Sequence, residues 1–162
     1  MTEAMTIVLI IAAAVGSGLM AGFFFAFSFC VMGALERLPP NEGARAMQVI
    51  NVVVLNPSFF AAFFGTAALC LALIVVAWLS WHTPVSTLLV VGSLLYLVGS
   101  IVVTMVFNVP LNEALKAAPA ESAEGMSVWR RYLARWVPWN HVRTFASLGA
   151  SVLLTIAACA RI

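Results

Sequence analysis

Residues 57–80 read PSFFAAFFGTAALCLALIVVAWLS, and this stretch decides the fold class because it contains no charged residue. A helix of roughly 20 apolar residues crosses a hydrocarbon core about 30 Å thick. A run of this length without alternation of polar and apolar residues does not suit the strand of a membrane barrel. The stretch therefore predicts a transmembrane α-helix.

The same character recurs along the chain, and we predict spans over about 6–35, 57–80, 84–107 and 140–160. Charged residues make up 9% of the sequence and hydrophobic residues 64%, and the mean hydropathy is +1.08. A soluble domain carries about 25% charged residues. We therefore expect an all-α integral membrane bundle of four transmembrane helices, forming a single transmembrane domain over residues 1–162.

A fifth, shorter helix is predicted over about 126–137, just before the last span. Its apolar side chains form one stripe and three arginines occupy the other side (Met126, Trp129, Leu133 and Trp136; Arg130, Arg131 and Arg135). Such an amphipathic helix suits the surface of an anionic leaflet. Pro138 is expected to end this interfacial helix, and the NVPLN stretch at 108–112 is expected to break the chain after the third span.

Basic residues predict the orientation of the bundle. The two long loops hold six of them, with Arg143 at the edge, whereas the opposite side has only Arg161 (Arg37, Arg45, Lys116, Arg130, Arg131 and Arg135). Loops rich in Lys and Arg stay in the cytoplasm. We therefore expect the N- and C-termini to lie outside, in a bacterial inner (plasma) membrane.

Polar residues that could form a site gather at the loop side of the predicted helices (Gln48, Asn51, Asn56, Asn108, Asn112, Asn140, His141 and Arg143). Because three separate stretches supply them, a closed bundle would bring them together beneath Trp136 and Trp139. Asn56, Asn108 and Asn140 also precede expected helix starts, so helix capping is an alternative explanation for each. Asn51 lies in an apolar run and needs a polar partner.

His141 is the candidate acid or base of this group, and Arg143 could stabilise a neighbouring anion. The alternative is that Arg143 binds a lipid phosphate while His141 bonds to a helix end. Ser28 and Thr104 lie within spans and are expected to bond to their own helix, so no conducting path is indicated.

No metal site is predicted, because the histidines and carboxylates show no ligand spacing. We expect no disulfide and no cofactor, although a single axial histidine to haem stays open. Membrane lipids are expected partners, and nothing in the charge pattern implies a nucleic acid.

Several stretches together resemble the anthrone oxygenase-like family of small membrane proteins, long described as a domain of unknown function. The most specific are NVPLN at 108–112 and WVPWNHVRT at 136–144, and the match runs in order over nearly the whole chain. The resemblance implies a four-helix membrane protein. In the few members with an assigned role, it implies oxidation of a polyketide anthrone to its anthraquinone with dioxygen.

On this resemblance we expect base-assisted oxidation of a lipophilic aromatic, without a cofactor. The catalytic residues would be His141 as base, with Arg143 and Asn140 as donors to the oxyanion. The remaining polar and aromatic residues would bind the substrate (Asn51, Asn56, Asn108, Asn112, Trp136 and Trp139). The alternative is a non-enzymatic membrane scaffold or subunit, which would bind lipid, a second copy of the chain or a partner membrane protein.

Overall fold

The computed structural model describes residues 3–79 and 84–161, and every regular element among them is helical. The helices are α1 (Glu3–Glu36), α2 (Pro40–Val53), α3 (Pro57–Leu79), α4 (Val85–Ala117) and α5 (Ala123–Cys159). All except α2 are long and apolar enough to cross a membrane. The expected four-span, all-α membrane protein is therefore confirmed. The predicted end of the second span at residue 80 lies outside the described residues.

The four long helices form a closed ring in which α1 contacts α3 and α5, and α4 contacts the same two helices. Neighbouring spans run antiparallel, so the beginning of α1 lies beside the end of α5. There, the Ser151 hydroxyl donates a hydrogen bond to the Ala14 carbonyl at 2.9 Å. Which end faces the cytoplasm stays a prediction.

We divide the bundle into two halves. The loop half comprises α2 and the parts of the other helices that surround it (22–36 of α1, 57–62 of α3, 104–117 of α4 and 123–144 of α5). The terminal half comprises the rest of the described helices. Its core is aliphatic around Ile10, Leu73 and Leu154, which are all fully buried.

Helix α5 continues through Pro138, so the predicted break at this residue is wrong. Proline interrupts helices because it lacks an N–H and its ring crowds the carbonyl four residues earlier. Here both Pro138 and Ala134 are exposed on the outside of the bundle, where the lost bond disturbs no packing. Asn140 consequently lies in mid-helix and does not cap a new span.

The expected break at 108–112 is also wrong. Residues Thr104–Asn108 form a π-helical turn, in which the Val109 N–H bonds to the Thr104 carbonyl five residues back. The wider turn removes the α-helical geometry just before Pro110, and α4 continues to Ala117. Asn108 is thus inside a helix and makes no capping bond.

The amphipathic segment 126–137 is the first part of α5 and not a separate helix on the lipid surface. At 37 residues, α5 is roughly 55 Å long, well beyond the thickness of the hydrocarbon core. Its aromatic stripe packs against α1, α2 and the end of α4, burying Trp129, Tyr132 and Trp136 with Met47 and Leu115. Its apolar face is therefore covered by protein.

Candidate active site in the loop half

Arg143 is the centre of the polar cluster. It lies in a helix long enough to span the membrane, yet its side chain is only 5% exposed and points into the bundle. One terminal nitrogen donates to Asn140 Oδ1 at 2.6 Å, and the other donates to Thr104 Oγ1 at 3.2 Å. This inward position does not fit the alternative in which Arg143 binds a lipid phosphate at the surface.

Two aromatic rings flank the guanidinium. Its central carbon lies 4.4 Å from the ring centre of Phe24 and 5.0 Å from that of Trp136. Cation–π contacts stabilise a desolvated cation by about 2 kcal/mol. No carboxylate of the described residues forms an ion pair with Arg143. The site thus holds a buried positive charge that aromatic faces and neutral oxygens compensate only in part.

Asn140 fixes Arg143 relative to α1. Its amide nitrogen donates to the Phe24 carbonyl and to the Ser28 hydroxyl, each at 2.7 Å, while its oxygen accepts from Arg143. The Phe24 carbonyl can accept this bond in addition to a helical one because a carbonyl oxygen has two lone pairs. Asn140 therefore couples the guanidinium to a neighbouring helix.

Asn112 is held in a similar way on the other side of the cluster. Its side-chain oxygen accepts from the Tyr132 hydroxyl and from the Trp136 indole, each at 2.8 Å. Both donors lie on α5, so Asn112 joins α4 to α5. With its oxygen doubly engaged, the orientation of the Asn112 amide is fixed.

A small cavity, which we call the inner cavity, adjoins these groups. Its volume is about 90 Å³. The polar part of its wall comes from α2, α4 and α5 (Asn51, Thr104, Asn112, Asn140 and Arg143), and the apolar part includes Phe24, Met47 and Trp136.

Among the described residues, two donors that belong to residues lining the inner cavity have no hydrogen-bond partner. They are Asn51 Nδ2 and Arg143 Nε, and both are inaccessible to solvent. An unsatisfied buried donor costs about 1–3 kcal/mol, and more when it is charged. Such groups in a cavity are satisfied by water or by a ligand that carries acceptor atoms.

A larger apolar groove of about 550 Å³, the outer groove, lies directly beside the inner cavity. The two spaces share five side chains (Phe23, Phe27, Ile50, Val54 and Phe59). The groove is open on the outside of the bundle, where exposed Leu19 and Val53 form its rim. The groove thus joins the outside of the bundle to the side of the inner cavity.

The structure brings Asn51, Asn112, Trp136, Asn140 and Arg143 together at the inner cavity, but not the other predicted site residues. Asn56 lines the outer groove, and its side chain accepts from the Phe59 N–H at 3.0 Å, which confirms its role as the cap of α3. Asn108 is fully buried behind the cavity and donates to the Trp136 carbonyl at 3.3 Å. Trp139 stacks on Phe107 outside it, with ring centres 3.6 Å apart.

His141, the predicted base, does not line the inner cavity either. Its imidazole lies beside the exposed Phe29, with ring centres 5.0 Å apart, and its Nδ1 has no hydrogen-bond partner in the described part of the chain. The wall of the cavity on α5 consists of Trp136, Asn140 and Arg143, while His141 projects toward the flank of α1. The role of His141 as a base stays a prediction.

Sequence reasoning missed four contributors, namely Phe24, Ser28, Thr104 and Tyr132. Ser28 and Thr104 were expected to bond to their own helices, yet they accept from Asn140 and Arg143. A usable signal was the lone arginine in the last span, since a buried guanidinium requires several acceptors and aromatic faces. Among the described residues, no group of three or more His, Cys, Asp or Glu side chains could hold a metal ion.

Comparison with known proteins supports the resemblance in sequence. The family model described as Anthrone oxygenase matches residues 58–153, which include α3, α4 and the part of α5 that carries Arg143. No curated protein and no solved structure shows significant similarity to the chain.

The fold and the cluster define a four-span membrane protein with an open apolar groove beside a buried guanidinium. Since the family model covers more than half of its length, the chain belongs to the anthrone oxygenase family.

Proposed function

We propose that the protein is an oxygenase that converts a lipophilic aromatic ketone of the anthrone type into a quinone with dioxygen. The observation that carries this proposal is the adjacency of the outer groove to Arg143. The groove volume of about 550 Å³ falls in the range of ligand pockets, and its wall is apolar and aromatic. A membrane-dissolved, flat aromatic matches both properties. Membership of the family supports the same chemistry.

The reaction begins at the CH₂ group that lies opposite the carbonyl in the central ring, where a C–H bond is acidic because the aromatic rings conjugate it with the carbonyl. Loss of the proton gives an enolate, whose negative charge lies mainly on oxygen. The enolate carbon then forms a bond to dioxygen, which is reduced to a peroxide, and the peroxide takes up a proton. Loss of water from the resulting hydroperoxide leaves a second ring carbonyl. One CH₂ group and one O₂ thus give one C=O group and one water.

Arg143 would lower the barrier by stabilising the enolate oxygen. Preorganised donors in a water-poor site act strongly on a charge that develops during the reaction, and removing one typically lowers kcat by about 10²–10³-fold. The lining residues of the inner cavity include no carboxylate and no imidazole. We therefore propose that anion stabilisation is the main contribution of the protein, with a water molecule accepting the proton. Any contribution of His141 would be secondary.

The groove and the cavity favour this function over the scaffold alternative. A scaffold needs neither a ligand-sized space nor a buried charge beside it, whereas an enzyme for a lipophilic substrate needs both.

The test is oxygen uptake with quinone formation, using detergent-purified protein and unsubstituted anthrone. We expect Arg143→Met to lower the rate by about 10²–10³-fold. Arg135→Met, which removes an exposed arginine from the same helix, is the matched control and should retain the rate. The His141→Ala variant is measured in the same assay to determine how much His141 contributes to the rate. Background rates in the wild-type protein, or an Arg143→Met variant that is as fast as Arg135→Met, would reject the proposal.

A further inference from the structure

The positive charge of Arg143 has no negatively charged partner among the described residues. The guanidinium is buried, and the groups that contact it are two neutral oxygens and two aromatic rings. Buried charges in proteins are normally paired, because a lone ion loses its hydration without compensation. Tyr132 is the nearest other ionisable side chain of the cluster, and its hydroxyl is already used as a donor to Asn112. The described protein therefore offers no internal counterion here.

The free donors show where an anion could bind. Asn51 of α2 and Arg143 of α5 both line the inner cavity, and among the described residues neither Asn51 Nδ2, whose amide lies near the Tyr132 side chain, nor Arg143 Nε makes a hydrogen bond. A single oxygen atom with several lone pairs can accept from two such donors. An oxygen held between them would also connect α2 to α5, which the hydrogen bonds of Asn140 and Asn112 do not do.

The volumes of the inner cavity and the outer groove restrict which ligand could carry this oxygen. The inner cavity of about 90 Å³ corresponds to roughly three water molecules and cannot contain a fused ring system. The outer groove can contain such a system, and its lining includes Phe23, Phe27 and Phe59. A ligand would therefore place its rings in the groove and a single oxygen substituent in the cavity.

From these observations we infer that the inner cavity binds the ionised oxygen of a flat hydroxyaromatic ligand between Arg143 Nε and Asn51 Nδ2. This inference rests on the proposed function, because the enolate of an aromatic ketone has the same oxygen anion on a ring. It goes further by making Asn51 a ligand-binding residue. It also predicts a binding preference for phenolates over neutral phenols, which is independent of any reaction with oxygen.

The experiment uses 1-naphthol as the probe, under argon so that no oxidation occurs. Naphtholate and naphthol have different absorption spectra, so the fraction of bound probe that is ionised can be read directly. In a mildly alkaline buffer, the wild-type protein should hold the probe largely as naphtholate and should bind it roughly a hundredfold more tightly than Arg143→Met does. Asn51→Leu should weaken binding roughly tenfold.

Two matched controls define specificity. Asn41→Leu removes an amide from the same helix as Asn51, at a position that lines neither the groove nor the cavity, and it should bind as the wild-type protein does. Naphthalene, which has the rings but no oxygen, should bind at least roughly tenfold more weakly than naphthol. Thermal unfolding of each variant in the same detergent identifies any that fails to fold. Should Asn51→Leu be unfolded, Asn51→Ser replaces it.

Two outcomes would overturn the inference. One is a bound probe with the spectrum of neutral naphthol, and the other is equal naphtholate binding by the wild-type protein, Asn51→Leu and Arg143→Met. Its failure is separable from that of the proposed function. Naphtholate binding without oxidation of anthrone would reject the enzyme and leave the anion site standing, whereas oxidation without naphtholate binding would reject only the anion site.

Discussion

The two halves of the bundle are built from the same four long helices, but they differ in their buried polar residues. In the terminal half, buried polar residues have short side chains such as Ser17, Ser93 and Ser147, set among Ala, Leu and Ile. In the loop half, the buried polar residues are larger, and Asn108, Asn140 and Arg143 have several donors and acceptors each.

The packing of the two halves differs accordingly. Helices of the terminal half approach closely at glycines, and a Cβ added at Gly16 or Gly99 would overlap with Thr66 or Ala146. In the loop half, aromatic side chains line the inner cavity and the outer groove, and a close approach also occurs at Gly43, where an added Cβ would overlap with the Leu35 carbonyl. Close contacts thus occur in both halves, and the loop half also contains the inner cavity and the buried charge of Arg143. The predictions below test this division.

The largest effect is expected from Asn140→Asp in the loop half. The new carboxylate would take the position of an oxygen that is now 2.6 Å from the guanidinium, and it would neutralise Arg143 internally. We expect the anthrone oxidation rate to fall by roughly 10²-fold while the fold is retained, because the anion of the substrate would lose its counterion. Oxygen uptake and circular dichroism in detergent measure both quantities.

The control for this change is Ser127→Asp, which adds the same charge at an exposed position of α5 that lines neither the groove nor the cavity. A full rate in Asn140→Asp would show that the free charge of Arg143 is not used, and the contrast between the halves would lose its functional meaning.

A second, smaller effect is expected from Gly99→Leu in the terminal half. The added side chain would displace α5 at Ala146, and overpacking of this kind costs about 1–3 kcal/mol. We expect a lower unfolding temperature in detergent. Gly65→Leu is the matched variant, because a Cβ at Gly65 meets nothing within 4 Å and the residue is exposed. Equal unfolding temperatures for the two variants would contradict the close-packing role of the terminal half.

The smallest effect is expected at the rim of the outer groove. Val53 and Val52 are neighbours with similar exposure, 65% and 62%, but only Val53 lines the groove. Val53→Trp should partly fill the groove and raise KM for anthrone by roughly fivefold, about 1 kcal/mol, with little change in kcat. Val52→Trp should change neither. If both variants behave alike, the groove is not the route by which the substrate reaches the cavity.

Much of the fold could be predicted from the sequence because a membrane imposes simple rules on composition. Uncharged runs of sufficient length identified all four spans, and Asn56-Pro57 identified the start of α3, where the Asn56 side chain caps the helix. Pro110 and Pro138 misled the prediction, since proline marks a break only when its surroundings do not compensate for it. At Pro110 a π-helical turn compensates, and at Pro138 the exposed side of α5 does.

The candidate site was predicted in part. Several amides and one arginine lie at the ends of the predicted spans, so we expected them to meet at the loop side of the bundle. In the structure, one cavity is indeed lined by Asn51, Asn112, Asn140 and Arg143. The sequence did not indicate which residues face that cavity. His141 and Arg143 are two positions apart, and only the rotation of α5 against its neighbours turns Arg143 inward and His141 toward Phe29.

The sequence by itself determined that this protein lies in a membrane, that it has four spans, and that it belongs to its family, because these properties depend on hydropathy and on local motifs. Only the tertiary structure decided that α5 is continuous, that Arg143 is buried with no counterion among the described residues, and that an open apolar groove lies beside it. These features depend on how helices distant in sequence pack, and in hydrocarbon every buried polar group must find its partner within the bundle or in a ligand.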